Sequence, residues 1–324
     1  MATRNDPETE VESSQGWARI AERGSLLGLR ITVWCYRTFG RRLFLCLIHA
    51  IVTYFFLTDR TGRKASRDYL ARVWRNPKGR QALGTPPGLW QSFLHYRQFA
   101  LVIVDRLAIW SGRTEAFEFQ ADGIELVDRL AAEGRGALVL GAHLGNFDAM
   151  RLLAERTETT VNVLMFTAHA QRINRIFQEL SPDAAARVIA VEPGSIHSVF
   201  EIRACLERGE IVAILGDRVE PGDRGRTTPV SLLGDPIELP HAPFLLAHLL
   251  GYPVLLMLAL RAGTNRYRVH TEQLAERVSL PRDGRAEVLS ELLTRYAGRL
   301  EHYCLEHPYQ WFNFFDYWGD GPSS

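Results

Sequence analysis

The residues best placed to do chemistry are His143 and Asp148, within the stretch Ala137-Leu-Val-Leu-Gly-Ala-His-Leu-Gly-Asn-Phe-Asp148. An imidazole held at one nitrogen by a carboxylate keeps the other nitrogen ready to take a proton from a hydroxyl or an amine. On one continuous helix, residues five apart would point about 140° from each other, since each residue turns roughly 100°. Both can face one crevice if the His sits in a turn and the Asp on the helix that follows.

The local sequence predicts that arrangement. Leu138, Val139 and Leu140 form a short apolar run that reads as a buried parallel strand. Gly141 and Gly145 allow a sharp turn, and Asn146 is a good N-cap for a helix starting at Phe147 and running through Met150, Leu152 and Leu153. His143 then lies beyond the carboxyl end of a strand, where α/β proteins build their sites, and Asp148 falls in the first helical turn. A bare H-x4-D spacing is usually a polar turn with a capping acid; the strand–Gly–His–Gly–Asn–helix context shifts the balance toward a site.

A second strand, Ile211-Val-Ala-Ile-Leu, runs into Gly216-Asp-Arg218. It places Asp217 and Arg218 near His143 on the same sheet edge. Arg218 could hold a phosphate or polarise a carbonyl oxygen, with Asp217 orienting the guanidinium. On charge pattern alone, a surface ion pair accounts for these two residues equally well.

Other chemistries lose their signatures. The chain has no H-E-x-x-H, no G-x-S-x-G, no Walker loop and no G-x-G-x-x-G opening a helix after a strand. The cysteines, Cys35, Cys46, Cys205 and Cys304, are scattered without ligand spacing and read as reduced structural thiols. A net charge of +1 argues against a general nucleic-acid binder.

His143-Leu-Gly-Asn-Phe-Asp148 resembles the H-x4-D/E motif of glycerolipid-type acyltransferases. From about Trp17 to Trp318 the chain is similar to the bacterial lipid A biosynthesis (lauroyl/myristoyl) acyltransferase family. Pro229-Val-Ser-Leu-Leu-Gly234 after the Asp217 block, and Pro308, Gln310 and Trp311 near the C-terminus, fit the same family; Asn313-Phe-Phe-Asp316 stands where that family has a basic pair. The resemblance implies transfer of a fatty acyl chain from a thioester, on acyl-carrier protein or coenzyme A, to a hydroxyl or amine of a lipid such as a lipid A precursor. It also implies a place at the cytoplasmic face of a bacterial inner membrane. His143 is then the expected general base and Asp148 its orienting acid. Asn146, Arg175, Asp217 and Arg218 are the expected substrate-binding residues, Asn174-Arg175 near the acceptor head group. Direct attack on the thioester needs no cofactor. Two rivals stay open: a thioesterase or lipid hydrolase using the same pair on water, and a non-catalytic lipid-binding partner in biosynthesis.

The elements that must position these residues follow from periodicity. Residues 1–20 read as a polar, disordered tail and 21–60 as a membrane-associated helical segment. Within the latter, Leu43–Leu57 is apolar and flanked by Arg41, Arg42, Arg60, Arg63 and Lys64. A span needs about 20 apolar residues, so this helix suits the interface of an anionic leaflet, or else packs as a greasy core helix. Residues 61–120 read as amphipathic helices broken at Pro77-Lys-Gly and Thr85-Pro-Pro-Gly88. Over 121–318 a βα rhythm predicts a largely parallel sheet flanked by helices. Strands are expected at Val161–Phe166, Val188–Val191, Ile211–Leu215 and Val254–Leu260, with Tyr267–Thr271 at an edge. Helices are expected near Ile124–Ala132, Asn174–Leu180, Ser195–Glu207, Ala242–Leu250 and Arg285–Glu306.

Overall fold

The computed structural model describes residues 48–110, 115, 117–149, 160–166, 187–191, 196–219 and 225–319. A helix runs through 48–58 and leads into α1 (Arg60–Arg75), α2 (Pro77–Leu83) and α3 (Leu89–Trp110). The breaks fall at the sequence's punctuation. Asp59 caps α1 by accepting from the Gly62 amide, Asn76 caps α2 ahead of Pro77, and Thr85-Pro-Pro-Gly88 separates α2 from α3.

The α/β part follows as β1 (Glu118–Asp122), α4 (Glu125–Ala132), β2 (Ala137–Gly141), β3 (Val161–Phe166), β4 (Arg187–Val191), α5 (Ile196–Glu207) and β5 (Ile211–Leu215). It continues with β6 (Thr227–Leu232), β7 (Asp235–Pro240), α6 (Ala242–Leu250), β8 (Val254–Gly263), β9 (Arg266–Ala275) and α7 (Arg285–Glu306). The large sheet has the order β1-β9-β8-β2-β5-β3-β4. Strands β8, β2, β5, β3 and β4 are mutually parallel; β9 runs antiparallel to β8 and carries β1 parallel on its outer side.

Strand β2 lies at the centre, and all five of its residues are buried. Leu138 and Leu140 face a cluster built with Leu293, Tyr296 and Leu300 of α7, while Ala137 and Val139 face one built with Val104, Leu107 and Ala108 of α3. A strand covered on both faces is apolar at every position, hence the unbroken Ala-Leu-Val-Leu run. Helix α7 buries Leu289, Leu292, Leu293, Tyr296, Ala297, Leu300 and Cys304, the three-and-four spacing of a single packed stripe.

Two expectations are corrected. The Tyr267–Thr271 strand is longer and is not at the edge, because β1 pairs along it from Glu118↔Arg266 to Asp122↔His270. Segment β1 escapes periodicity since no residue in Glu-Phe-Gln-Ala-Asp is fully buried. Pro229–Gly234, which reads as a turn from its sequence, is part of the antiparallel hairpin β6–β7, which packs on α7. Leu233 and Gly234 both take positive φ at its tip, 55° and 86°, the backbone a tight two-residue hairpin requires.

Ile48 and Val52 of the 48–58 helix are buried, whereas Tyr54 and Leu57 are 62% and 67% exposed. Among the described residues no helix is long and apolar enough to cross a membrane. Residues 21–47 of the expected membrane-associated segment, and the helix expected at Asn174–Leu180, lie outside the described residues.

Candidate active site

The register of β2 and β5 pairs Gly141 with Leu215. His143 and Asp217 each lie two positions beyond those partners, so neighbouring parallel strands deliver them side by side. The Nδ1 of His143 is 2.8 Å from Oδ1 of Asp217, and the His143 backbone N–H donates to Oδ2 at 3.0 Å. Asp217 is completely buried. As a carboxylate it can only accept, so the proton sits on Nδ1 and the lone pair on Nε2.

The rest of the Asp217 shell comes from the C-terminal segment, which passes under the His143 loop. Trp311 pairs with Leu144 in an antiparallel bridge, the Gly145 amide donates to the Gln310 carbonyl at 2.9 Å, and the Phe312 amide donates to the His143 carbonyl at 2.8 Å. From there Trp311 Nε1 donates to Asp217 Oδ2 at 3.1 Å and Asn313 Nδ2 to the same oxygen at 3.2 Å. The Tyr317 hydroxyl donates to the Asp217 carbonyl, and Tyr296 donates to the Gly141 carbonyl at 2.7 Å.

The sequence reading paired Asp148 with the imidazole; Nδ1 is held by Asp217 instead. Asp148 starts the helix after the loop, its amide capped by Asn146 Oδ1 at 3.2 Å, and its Oδ2 lies 2.5 Å from Nε of Arg106 on α3. Local order explains this: the turn that frees His143 to reach across to β5 directs Asp148 toward α3. Asn146, expected to bind substrate, is buried, and its Nδ2 donates to the Tyr267 hydroxyl at 3.1 Å. Tyr267 and Arg261 in turn donate to the buried Asp105, at 2.8 and 3.0 Å. Gly145 is required where it stands. Its φ is +80°, and a Cβ there would lie 2.2 Å from the Ala259 carbonyl oxygen.

Arg218 lies beside the pair, but Asp217 does not orient it. Its Nε donates to Asn313 Oδ1 at 2.7 Å, its NH2 to the Phe312 carbonyl at 3.2 Å, and its guanidinium lies 5.3 Å from the Phe315 ring centre. Asn313 thus joins Arg218 to Asp217, at the position where the resemblance expects a basic pair. Arg175 lies outside the described residues.

Electrostatics favour a neutral imidazole. Burial pushes the His143 pKa below its ordinary value; Asp217 opposes this, while Arg218 and Arg106 push it further down. The ring keeps 28% of its side-chain surface exposed, so it stays reachable from outside. For Asp217 burial works upward, but the His143 ring, its amide and Arg218 outweigh it and hold the carboxyl far below the usual range. Among the described residues no group of three or more His, Cys, Asp or Glu could hold a metal ion.

Sequence reasoning missed Arg106, Trp311 and Asn313 as parts of this site. Asp105-Arg106 did carry a signal, as two adjacent charges inside the apolar run Ala100-Leu-Val-Ile-Val-Asp-Arg-Leu-Ala-Ile-Trp110. The profile of the bacterial lipid A biosynthesis acyltransferases matches residues 24–319. The chain belongs to this family. Membership of this acyltransferase family covers every site residue described above. No curated protein matches the chain significantly.

Proposed function

We propose that this chain is a membrane-associated acyltransferase that moves a fatty acyl group from an acyl-carrier-protein thioester to a hydroxyl or amine of a lipid A precursor. The observation that carries the reading is the His143–Asp217 pair, held at 2.8 Å at the carboxyl ends of adjacent parallel strands. The depressed imidazole pKa keeps the ring neutral near pH 7, as a base must be. His143 Nε2 takes the acceptor proton as the acceptor oxygen or nitrogen attacks the thioester carbonyl. Asp217 stabilises the imidazolium. The tetrahedral intermediate collapses by breaking the C–S bond, and the imidazolium returns its proton to the leaving thiolate. The products are the acylated lipid and the carrier thiol. Arg218 and Arg106 supply positive charge for a substrate phosphate or the developing oxyanion, with Asp148 fixing Arg106.

Aromatic packing supports a lipid approach. Phe56 of the 48–58 helix meets Phe93 and Tyr96, each at 5.5 Å between ring centres, and Tyr96 meets Phe314 at 4.5 Å. Phe314 meets Phe99 at 5.4 Å and Phe99 meets Phe312 at 5.2 Å, next to the His143 backbone. At the outer end Tyr54, Phe55, Leu57 and Trp90 are exposed, and so are Arg60, Lys64 and Arg67. Apolar rings bordered by cations suit an anionic leaflet.

The test is incubation of the purified protein with acyl-carrier-protein thioester and a lipid A precursor, followed by mass spectrometry of both. A precursor heavier by one acyl group, with thiol released in equal amount, is the expected result. Thioester loss without an acylated lipid would make the protein a hydrolase, and no turnover would leave it a binding partner.

A further inference from the structure

We infer that Trp311 and Asn313 are positioning residues for the His–Asp pair: together they pin one oxygen of Asp217 and so aim the other at His143. This rests on the proposed general-base reading.

A completely buried carboxylate cannot draw on water, and its two oxygens offer about four acceptor positions. Four donors meet Asp217. The His143 ring takes Oδ1, while the His143 amide, Trp311 Nε1 and Asn313 Nδ2 converge on Oδ2. Two of the four thus come from the C-terminal segment, which contributes no strand to the sheet. Their donation draws charge toward Oδ2 and prevents the carboxylate from rotating away from Nδ1.

The segment is itself held firmly. The Trp311 carbonyl accepts from Nε2 of the buried His95 at 2.8 Å. That fixes the His95 tautomer, so its Nδ1 accepts from Ser66 at 3.0 Å, and Ser66 accepts from Ser92 at 2.9 Å. Burial holds His95 neutral, with its pKa pushed down to about 4. The chain of bonds therefore ties the segment to α1 and α3, and through Trp311 to Asp217.

Among the described residues, Arg218 follows Asp217 directly, Arg106 acts on His143 from α3 with Asp148 as partner, and the hydroxyls of Tyr296 and Tyr317 and the Cys304 thiol stand near Asp217 from α7 and the C-terminal segment. Removing a donor from Oδ2 leaves more negative charge beside the ring and raises the His143 pKa, while the lost alignment lowers kcat; Trp311→Phe does this with Arg218 unchanged, whereas Asn313→Leu also takes the acceptor from Arg218 Nε.

The experiment compares Trp311→Phe and Asn313→Leu with the unaltered protein, each alone and combined with Asp217→Asn. The His143 pKa is read from 15N-histidine chemical shifts, which need no substrate, and kcat and KM from the transfer assay. Expected are a higher His143 pKa and a kcat roughly 10- to 100-fold lower, as for loss of a hydrogen bond to a charged group, with KM little changed. In the Asp217→Asn background neither substitution should lower kcat further. An unshifted His143 pKa in a folded variant, or a full further loss in the Asp217→Asn background, overturns the inference. If Trp311→Phe does not fold, Asn313→Leu compared within an Arg218→Met background decides. Full activity of His143→Ala would defeat the general-base reading, whereas an inactive His143→Ala beside an unshifted pKa would defeat only the positioning role.

Discussion

His143 takes its carboxylate from Asp217, 74 positions away in sequence, and not from Asp148 five positions away. The H-x4-D stretch therefore supplies an imidazole and a helix-starting acid that meet different partners. Asp217→Asn leaves Nδ1 facing a neutral amide, and turnover should fall by about 10²-fold or more at neutral pH. Asp148→Asn should cost less and act through Arg106. Measured kcat/KM values for Asp148→Asn, Arg106→Met and the double variant should be non-additive; strict additivity would mean that the ion pair does not couple the two.

The strands and their loops were legible because their signals are local: apolar runs ending in Gly, a capping Asn, breaks at Pro. The partner of His143 was not, since it depends on which strands adjoin. Yet the two runs do align. Ala137-Leu-Val-Leu-Gly-Ala-His and Ile211-Val-Ala-Ile-Leu-Gly-Asp place His and Asp at the same offset once β2 and β5 are neighbours in register. The donors Trp311 and Asn313 were hidden for another reason. They sit in an aromatic run without helical or strand period, and their contacts are tertiary throughout. Strand β1 was hidden by its half-exposed edge position, which erases hydrophobic alternation.

The loop geometry depends on Gly145. With φ at +80° and the Ala259 carbonyl 2.2 Å from any added Cβ, Gly145→Ala must move the loop. The left-handed backbone alone costs about 1–2 kcal/mol for an L-residue. The melting temperature should drop, and kcat should fall further than that destabilisation alone would cause. An unchanged melting temperature and rate would show that the loop has room the geometry does not allow.

Acid should destabilise the fold through His95. The folded chain binds that proton near pH 4 and the unfolded chain near 6.5. Between those values the unfolded state carries more protons, so stability falls as pH drops, by up to ~3 kcal/mol from this group. Denaturant titrations of the unaltered protein and His95→Gln at pH 7 and pH 4.5 measure it. The variant should start less stable and lose less on acidification; equal losses would assign the acid sensitivity to other groups.

The exposed apolar side chains of the 48–58 helix should carry membrane affinity. Tyr54→Ser, Phe55→Ser and Leu57→Ser together should reduce sedimentation with anionic vesicles, and slow transfer to lipid acceptors more than to a soluble analogue. Undiminished sedimentation would place the membrane contact elsewhere on the chain.

The central claim is that His143 is the general base. Its most direct measurement is the rate of acyl transfer by purified His143→Ala beside the unaltered protein across pH 5 to 9. The account predicts a loss of at least ~10²-fold with a cooperative melt retained. The unaltered enzyme should show an acid limb below the ordinary histidine value of 6.5 that is absent from the residual rate of the variant. Near-full transfer by His143→Ala, or the same acid limb in both proteins, would contradict it.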